Sequence, residues 1–272
     1  MDLYGSHFEY AGEMSRKYGL VIANLDTDRN TMISGKIESL SVFNKRNQSR
    51  HDLGSNYSEA PLSFEMEVIS ESPIMGEMRR KIQKWLFNQN GYKKLYIDRF
   101  DEACDEVLNF EGGVPRRTYL NCKFINPEKI EGSGGVFGYK FTVECDSNMA
   151  WQDPLRKMFS FDSSVPERAV ELEVDTDIDD YTYPKMVICT GSLGGDVSVA
   201  NLTDDEFRLT TFLQMPPNTE VIINGVYNFV SDNFYENFAH RNFPRLLDGK
   251  NVLLFSGDII SVSVEWQNKR YL

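Results

Sequence analysis

The sequence predicts a mainly β protein of two domains, and three observations carry this prediction. Apolar and polar residues alternate in short runs along most of the chain, which is the period of a strand with one buried face. Only one segment has apolar residues at the spacings of three and four that characterise a helix. The 272 residues are enough for two cores of ordinary size. We place the boundary near Pro154, between an N-terminal domain (1–153) and a C-terminal domain (154–272).

The first alternating pattern follows shortly after the N-terminus. Phe8 and Tyr10 alternate with polar residues, Gly12 interrupts the pattern, and Leu20 and Ile22 resume it. Two short strands around a turn are therefore predicted.

The segment from Asp26 to Ser58 differs from its surroundings in composition. It is rich in Lys, Arg, Ser and Asn, and its single apolar stretch runs from Ile37 to Phe43. Such a segment cannot bury much surface by itself. It is either a solvated loop or an arm that packs on something outside its own domain, and its length of about thirty residues favours a functional role.

A helix is predicted after the next strand. Ser72 is a suitable N-cap and Pro73 suits the first helical position. The apolar residues that follow at helical spacing are Ile74, Met78, Ile82, Trp85 and Leu86. The basic residues fall on the other side: Arg79, Arg80, Lys81 and Lys84. We interpret this basic side as a solvated face rather than a nucleic-acid contact, because the chain is acidic overall.

The remaining strands are short and separated by turn residues. In the N-terminal domain they are predicted at residues 62–68, 95–97, 118–124 and 139–143. In the C-terminal domain they are predicted at residues 185–190, 197–201, 207–212, 220–224, 227–230, 252–255 and 259–266. Asn224-Gly225 between two apolar runs is a strong hairpin signal. Regular short strands without a helical period indicate a β-sandwich for this half.

Charge and composition exclude several classes of function. The net charge of −12 argues against a surface that grips nucleic-acid phosphates. No apolar run is long enough to cross a bilayer, and the N-terminus has no signal-peptide pattern, so we expect no export and no membrane insertion. The four cysteines stand alone, without the close spacing of a zinc site, and we expect reduced thiols.

Catalytic signatures are not found in the sequence. The three histidines, His7, His51 and His240, have no metal-binding spacing, and no nucleophile elbow or phosphate-binding loop is present. We therefore expect no enzyme activity, no cofactor and no metal.

Three motifs are partly similar to the sequences of known binding sites but depart from them at residues those sites need. Asp175 to Asp180 begins like a calcium loop but has an acid where that loop needs glycine. The glycine-rich Gly191 to Gly195 links two strands and is interpreted as a hairpin turn. The run from His240 to Arg245 is close to the sugar-binding sequence of galectins but has one extra residue, which reverses the facing of side chains within a strand.

Taken in order, several fragments together resemble the distal tail proteins (Dit) of long-tailed, non-contractile phages. In the first half these are Phe8, Tyr10, Gly12, Ser15, the run 18–20, Arg80, Trp85, Leu86, and the runs 126–132 and 141–146. In the second half they are Tyr183, Pro184, the run 197–201, Thr203, and the runs 222–225 and 243–251.

This resemblance implies a specific architecture and role. It implies an N-terminal β-sandwich-like domain with one helix and a projecting belt arm, followed by a galectin-like C-terminal β-sandwich. It also implies a homo-hexameric ring at the virion tail tip, assembled in the host cytoplasm and joined to the tail tube protein, the tail-associated lysin or tail-tip protein, and receptor-binding proteins. DNA would pass through only as cargo.

On this resemblance, the belt arm is the segment of residues 26–58, and two sets of residues are candidates: one for the belt between subunits and one for the helix of the ring-forming domain. The belt set is Ile37, Leu40, Val42, Phe43, Lys45 and Arg46. The helix set in the ring-forming domain is Arg79, Arg80, Lys84 and Trp85.

The alternative hypothesis is a carbohydrate-binding adhesion module that recognises host cell-wall polysaccharide through the C-terminal domain. Tyr227, Phe229, Phe234 and Tyr235 could form a stacking platform for sugars, although core packing is expected for most of them. A glycosidase is a third and more remote hypothesis.

Overall fold

The computed structural model describes residues 6–26, 36–44, 49–57, 61–98, 117–162, 167–177, 180–206, 208–239 and 241–270, with backbone only for 36–44 and 49–57. Its chain divides into two compact units, residues 1–152 with 270–272, and residues 153–269. The described residues are mainly in strands, with one α-helix. The predicted fold class, mainly β with a single helix, is confirmed.

The described part of the first unit contains ten strands and the helix α1. The strands are β1 (His7–Tyr10), β2 (Glu13–Met14), β3 (Leu20–Asp26), β4 (Lys36–Asn44), β5 (Ser49–Tyr57), β6 (Ser63–Ser70), β7 (Lys93–Asp98), β8 (Thr118–Gly132), β9 (Gly135–Cys145) and β10 (Ala150–Gln152), and α1 is Gly76–Phe87. A short 3-10 helix, Ser15–Tyr18, precedes β3.

One antiparallel sheet surrounds the core of this unit. Its strand order is β2-β1-β7-β8-β9-β6-β3, with β10 paired to β8. The chain just before β1 approaches β3 at the other end of this order, because the Ile22 N–H donates a hydrogen bond to the Ser6 carbonyl at 3.0 Å. The two predicted strands are present as β1 and β3; β1 turns into β2, and β3 pairs with β6.

The helix begins later than the sequence predicted. Met75, and not Ser72, is the N-cap, and its side chain makes no capping hydrogen bond. The reason is tertiary, because the Ile74 N–H donates a 2.7 Å hydrogen bond to the Val136 carbonyl. This bond holds the segment before the helix against β9 and keeps Pro73 outside α1.

The second unit is a sandwich of two antiparallel sheets. Its strands are β11 (Leu155–Ser160), β12 (Glu167–Val174), β13 (Lys185–Thr190), β14 (Gly195–Asn201), β15 (Leu209–Met215), β16 (Glu220–Asn224), β17 (Phe229–Val230), β18 (Phe238–Ala239), β19 (Gly249–Ser256) and β20 (Ile259–Trp266). The sheet orders are β11-β20-β13-β16-β17 and β12-β19-β14-β15-β18. One apolar cluster lies between them, drawn from alternate residues of both sheets. A final strand, β21 (Lys269–Arg270), follows at the division between the units.

The predicted hairpin at Asn224-Gly225 is present and joins β16 to β17. The positive φ angle in its turn falls on Asn228. A larger residue at position 225 would crowd Tyr183, since a Cβ there would lie 3.0 Å from the Tyr183 side chain.

The glycine-rich loop from Gly191 to Gly195 is not a hairpin turn, because it joins β13 of one sheet to β14 of the other. Its backbone holds a carboxylate from within the chain. The N–H groups of Leu193 and Gly194 donate to Asp258 Oδ2 at 2.6 and 2.9 Å.

Candidate functional site

The predicted arm is an insertion between two paired strands of the first unit. The last register pair of β3 and β6 joins Asp26 to Glu65, so residues 27–64 connect neighbouring strand ends. Within this connection β4 and β5 pair with each other in a separate two-stranded sheet. The candidate residues Ile37, Leu40, Val42 and Phe43 lie on β4, whereas Lys45 and Arg46 lie outside the described residues.

The inner face of α1 belongs to the core. Trp85 is 5% exposed, lies parallel to the Phe8 ring at 5.6 Å and stacks on Tyr18 at 4.6 Å. Its Nε1–H donates a 2.8 Å hydrogen bond to the Tyr10 carbonyl. Trp85 therefore anchors the helix to β1 and is buried, and its place among the candidate helix residues stays a prediction.

The outer face of α1 carries the basic residues. Arg80 and Lys84 are exposed and Arg79 is half-buried. Lys81 forms an exposed ion pair with Glu77 at 2.9 Å. Met75, at the start of the helix, is 76% exposed. The helix thus presents a basic surface on one side and a firmly packed aromatic anchor on the other.

A buried ion pair organises the end of the second unit. The Arg245 side chain donates from Nε and Nη2 to the two Asp204 oxygens at 2.7 and 2.8 Å, and these side chains are only 6% and 3% exposed. Glu206 lies 2.9 Å from the same guanidinium, and the Tyr181 ring centroid lies 3.6 Å from its carbon. Hydrogen bonds from Arg245 hold the pKa of the Asp204 carboxyl below its usual range.

Two buried asparagines extend this network. Asn201 Nδ2 donates to the Arg245 carbonyl at 2.9 Å and to Asn251 Oδ1 at 2.8 Å. The Asn251 amide in turn donates to the carbonyls of Leu247 and Gly249. Arg245 closes the run that is close to the galectin sugar sequence, and its guanidinium is used inside the protein, so it cannot bind a sugar in this conformation.

Exposed aromatic side chains surround the turn between β16 and β17. Tyr227 is 78% exposed and Phe229 is 43% exposed, with Val226 between β16 and Tyr227 also largely exposed. Tyr183 lies against Gly225 of the same turn. The expectation of core packing is wrong for Tyr227, Phe229 and Tyr235, while Phe234 does pack against the core.

Among the described residues, no group of three or more His, Cys, Asp or Glu side chains could hold a metal ion. No helix in the described part of the chain is long and apolar enough to cross a membrane.

Comparison with known sequences identifies the first unit. Residues 3–147, more than half of the chain, match the sequence profile of the family described as phage tail protein N-terminal domain. The chain belongs to this family of phage tail proteins. Such proteins are structural components of the virion. No curated protein sequence matches the tail protein.

Comparison with solved structures covers both units. The tail protein is similar to the Dit (gp 19.1) protein of phage SPP1, described as a paradigm of hub adsorption apparatus in phages that infect Gram-positive bacteria, with a TM-score of 0.63 and 8% identity over 98% of this chain and 99% of that one. It is also similar to a protein of the phage P2 baseplate in its activated conformation, in structures with Ca and with Sr, with a TM-score of 0.51 and 10% identity over 99% of this chain and 100% of that one. The predicted Dit-like fold is confirmed.

The network around Arg245 was not predicted from the sequence. In the sequence, Arg245 stands out only as the last residue of a run close to the galectin sugar-binding sequence, and Asp204 lies 41 residues away. A buried Arg and a buried Asp carry no local pattern that distinguishes them from surface charges. Only the folding of β14, β19 and the loops beside them brings these groups together.

Proposed function

We propose that this tail protein is the structural hub of a phage tail tip or baseplate and that it forms a hexameric ring. The observation that carries the proposal is the correspondence of fold along nearly the whole of both chains with the SPP1 hub protein. In this role the ring joins the tail tube above to the tail-tip protein or tail-associated lysin and the receptor-binding apparatus below. Its central channel passes the genome, and the acidic chain keeps DNA from binding.

The arm formed by β4 and β5 is proposed to reach a neighbouring subunit of the ring. Its support is topological, since β4 and β5 share no ladder with the main sheet and are inserted between two strands that already pair. A closed ring needs a heterologous contact, in which one surface of each subunit meets a different surface of the next. An arm that pairs only with itself is suited to make such a contact.

Native mass spectrometry of the full chain tests both parts of the proposal. The wild-type protein is expected to give hexamers that persist on dilution. A variant in which residues 31–57 are replaced by a short Gly-Ser turn should give mainly monomers with unchanged circular dichroism of the remaining strands, because β3 and β6 stay adjacent. A wild-type protein that is monomeric at every concentration would contradict the ring.

The second candidate function is carbohydrate binding by the second unit. The observation in its favour is the exposure of Tyr227 and Phe229 around one turn, since aromatic faces that reach solvent can stack on sugar rings. The support for this role is weaker than for the hub, because Arg245 is occupied by Asp204 and the galectin sequence is interrupted.

A binding assay separates the two candidates. Purified cell-wall polysaccharide from the host should retain the full chain if the aromatic turn binds sugar, and retention should fall at least tenfold in a Tyr227→Ala variant. A matched variant, Leu193→Ala, removes an equally exposed apolar side chain from another loop. Equal retention of all three proteins would exclude sugar binding through this turn.

A further inference from the structure

Two buried cysteines of the first unit face each other across neighbouring strands. Cys122 on β8 and Cys145 on β9 are register partners in the antiparallel ladder. Both are almost completely buried, with exposures of 0% and 1%. They belong to the same apolar cluster, and neither takes part in the ion-pair or aromatic contacts described above.

The backbone hydrogen bonds show which kind of pair they form. The Cys145 N–H donates to the Leu62 carbonyl at 2.9 Å, on the side away from Cys122. The next pair along the ladder does bond across, because the Asp146 N–H donates to the Asn121 carbonyl at 2.9 Å. Cys122 and Cys145 are therefore a non-hydrogen-bonded pair, in which Cα atoms are about 4.5 Å apart and side chains lie closest.

This spacing falls within the range that a disulfide needs, with Cα atoms roughly 4.4–6.8 Å apart. Burial also affects both thiols in the reduced protein. Burial raises the pKa of the Cys145 thiol to about 12, and burial together with Cys145 raises the pKa of Cys122. Because the thiolate is the reactive form, the folded protein reacts slowly at these positions.

We propose that Cys122 and Cys145 form a cross-strand disulfide that closes the base of the β8–β9 hairpin when the chain folds in an oxidising medium. The hairpin beyond this pair contains residues 123–144, and its outer part from Asn126 to Glu128 is exposed. The inference rests on the register of β8 and β9 and does not depend on the proposed role in a phage tail.

The reaction is an exchange with a low-molecular-weight disulfide such as oxidised glutathione. One cysteine thiolate attacks a glutathione sulfur, one glutathione leaves as a thiolate, and the second cysteine displaces the other glutathione from the mixed disulfide. One S–S bond forms between the cysteines, one S–S bond of the oxidant breaks, and the two thiol protons pass to the two glutathione molecules. The cysteines are oxidised and the glutathione disulfide is reduced.

The test uses the full chain with Cys104→Ser and Cys189→Ser, so that only the proposed pair remains. This protein is unfolded in urea and refolded in mixtures of reduced and oxidised glutathione, and free thiols are then alkylated and counted by mass spectrometry. The expected product has no alkylated thiol and a mass lower by about 2 Da than the reduced chain. The same titration in urea measures how readily the unfolded chain closes the disulfide.

The test compares the equilibrium constant for disulfide formation in the folded chain with that in the unfolded chain. The folded chain should favour the disulfide on the order of 100-fold more than the unfolded chain, as expected for a native-compatible loop of this length. A ratio of one or less would overturn it, as would two alkylated thiols after refolding. A second variant, Cys145→Ala in the same background, should retain a single thiol or one glutathione adduct, and any other loss of thiol in it would also count against the pair.

Discussion

At the scale of single residues, the ion pair of Arg245 and Asp204 is the interaction most sensitive to change. Both side chains are nearly excluded from solvent, and the guanidinium binds the carboxylate through two hydrogen bonds. Replacing such a pair by apolar residues can be neutral, but removing one partner leaves a buried charge without its counterion. Removing only one partner is therefore expected to destabilise the protein more than replacing both partners by apolar residues.

The Asp204→Asn variant should lower the free energy of unfolding of the second unit by about 3 kcal/mol. Urea denaturation followed by Trp266 fluorescence measures this loss in a background that lacks the other two tryptophans. The matched control is Glu171→Gln, which removes an exposed ion pair with Lys250 and should cost at most about 1 kcal/mol. Equal effects of both substitutions would show that the buried ion pair contributes no more to the free energy of unfolding than the exposed one.

The same pair predicts a dependence of stability on pH. The pKa of Asp204 is lowered in the folded protein, so its contribution is fully present above the unfolded value of about 3.9. That contribution is lost as the pH falls through the folded pKa. Urea midpoints between neutral and acidic pH should therefore fall further in the wild type than in Asp204→Asn, and parallel curves would contradict the assignment.

A glycine in β9 gives a third prediction at this scale. A Cβ on Gly138 would lie 2.1 Å from the Val68 carbonyl oxygen, so β6 and β9 can pair only with glycine there. Gly138→Ala should cost about 3 kcal/mol or more through displaced backbone. Gly76→Ala is the control, because a Cβ there meets nothing within 4 Å and should leave stability equal or slightly higher. Thermal melting compares the two.

At the scale of elements, alternation predicted strands well where one face is buried. The structure matches the predicted strands at residues 185–190, 220–224 and 259–266. The start of α1 could not be predicted, because a hydrogen bond between Ile74 and Val136 decides it, and these residues are distant in sequence. The strand β11 was missed because its inward residues are only half-buried and its outward ones include Arg156 and Met158.

Substitutions on the exposed face of α1 should change ring assembly without changing the stability of the fold. Changing Arg80 and Lys84 together to Glu should leave the free energy of unfolding within about 0.5 kcal/mol, because both side chains are exposed. If this face contacts an acidic neighbour in the ring, the concentration at which rings form should rise at least about tenfold.

Trp85→Phe is the control on the buried face of α1, where stability and not assembly should change. It removes the hydrogen bond to the Tyr10 carbonyl and should destabilise the chain by about 1–3 kcal/mol, while the ring that forms from folded chains keeps its stoichiometry. Urea denaturation and sedimentation velocity measure the two effects. If the charge changes alter stability but not ring formation, the outer face of α1 is not part of the assembly.

At the scale of the whole molecule, the pattern of strands predicted the fold class but not the order of strands in each sheet. Paired strands such as β1 with β7, or β12 with β19, are far apart in sequence. No local property of Phe8 or Leu172 predicts which residue of the neighbouring strand lies opposite it. The candidate belt residues on β4 come from the resemblance to distal tail proteins, and their role in contacts between subunits stays a prediction. In the described part of the chain, β4 and β5 pair only with each other, in a separate two-stranded sheet.

The proposed hub role requires that copies of this tail protein close into a hexameric ring. Negative-stain electron microscopy of the purified full chain, with class averages of face-on particles computed without imposed symmetry, shows whether they do. We expect rings with sixfold symmetry around an open channel, and we expect these rings to disappear when residues 31–57 are replaced. Isolated single chains, or closed assemblies of another symmetry, would rule out the hexameric ring.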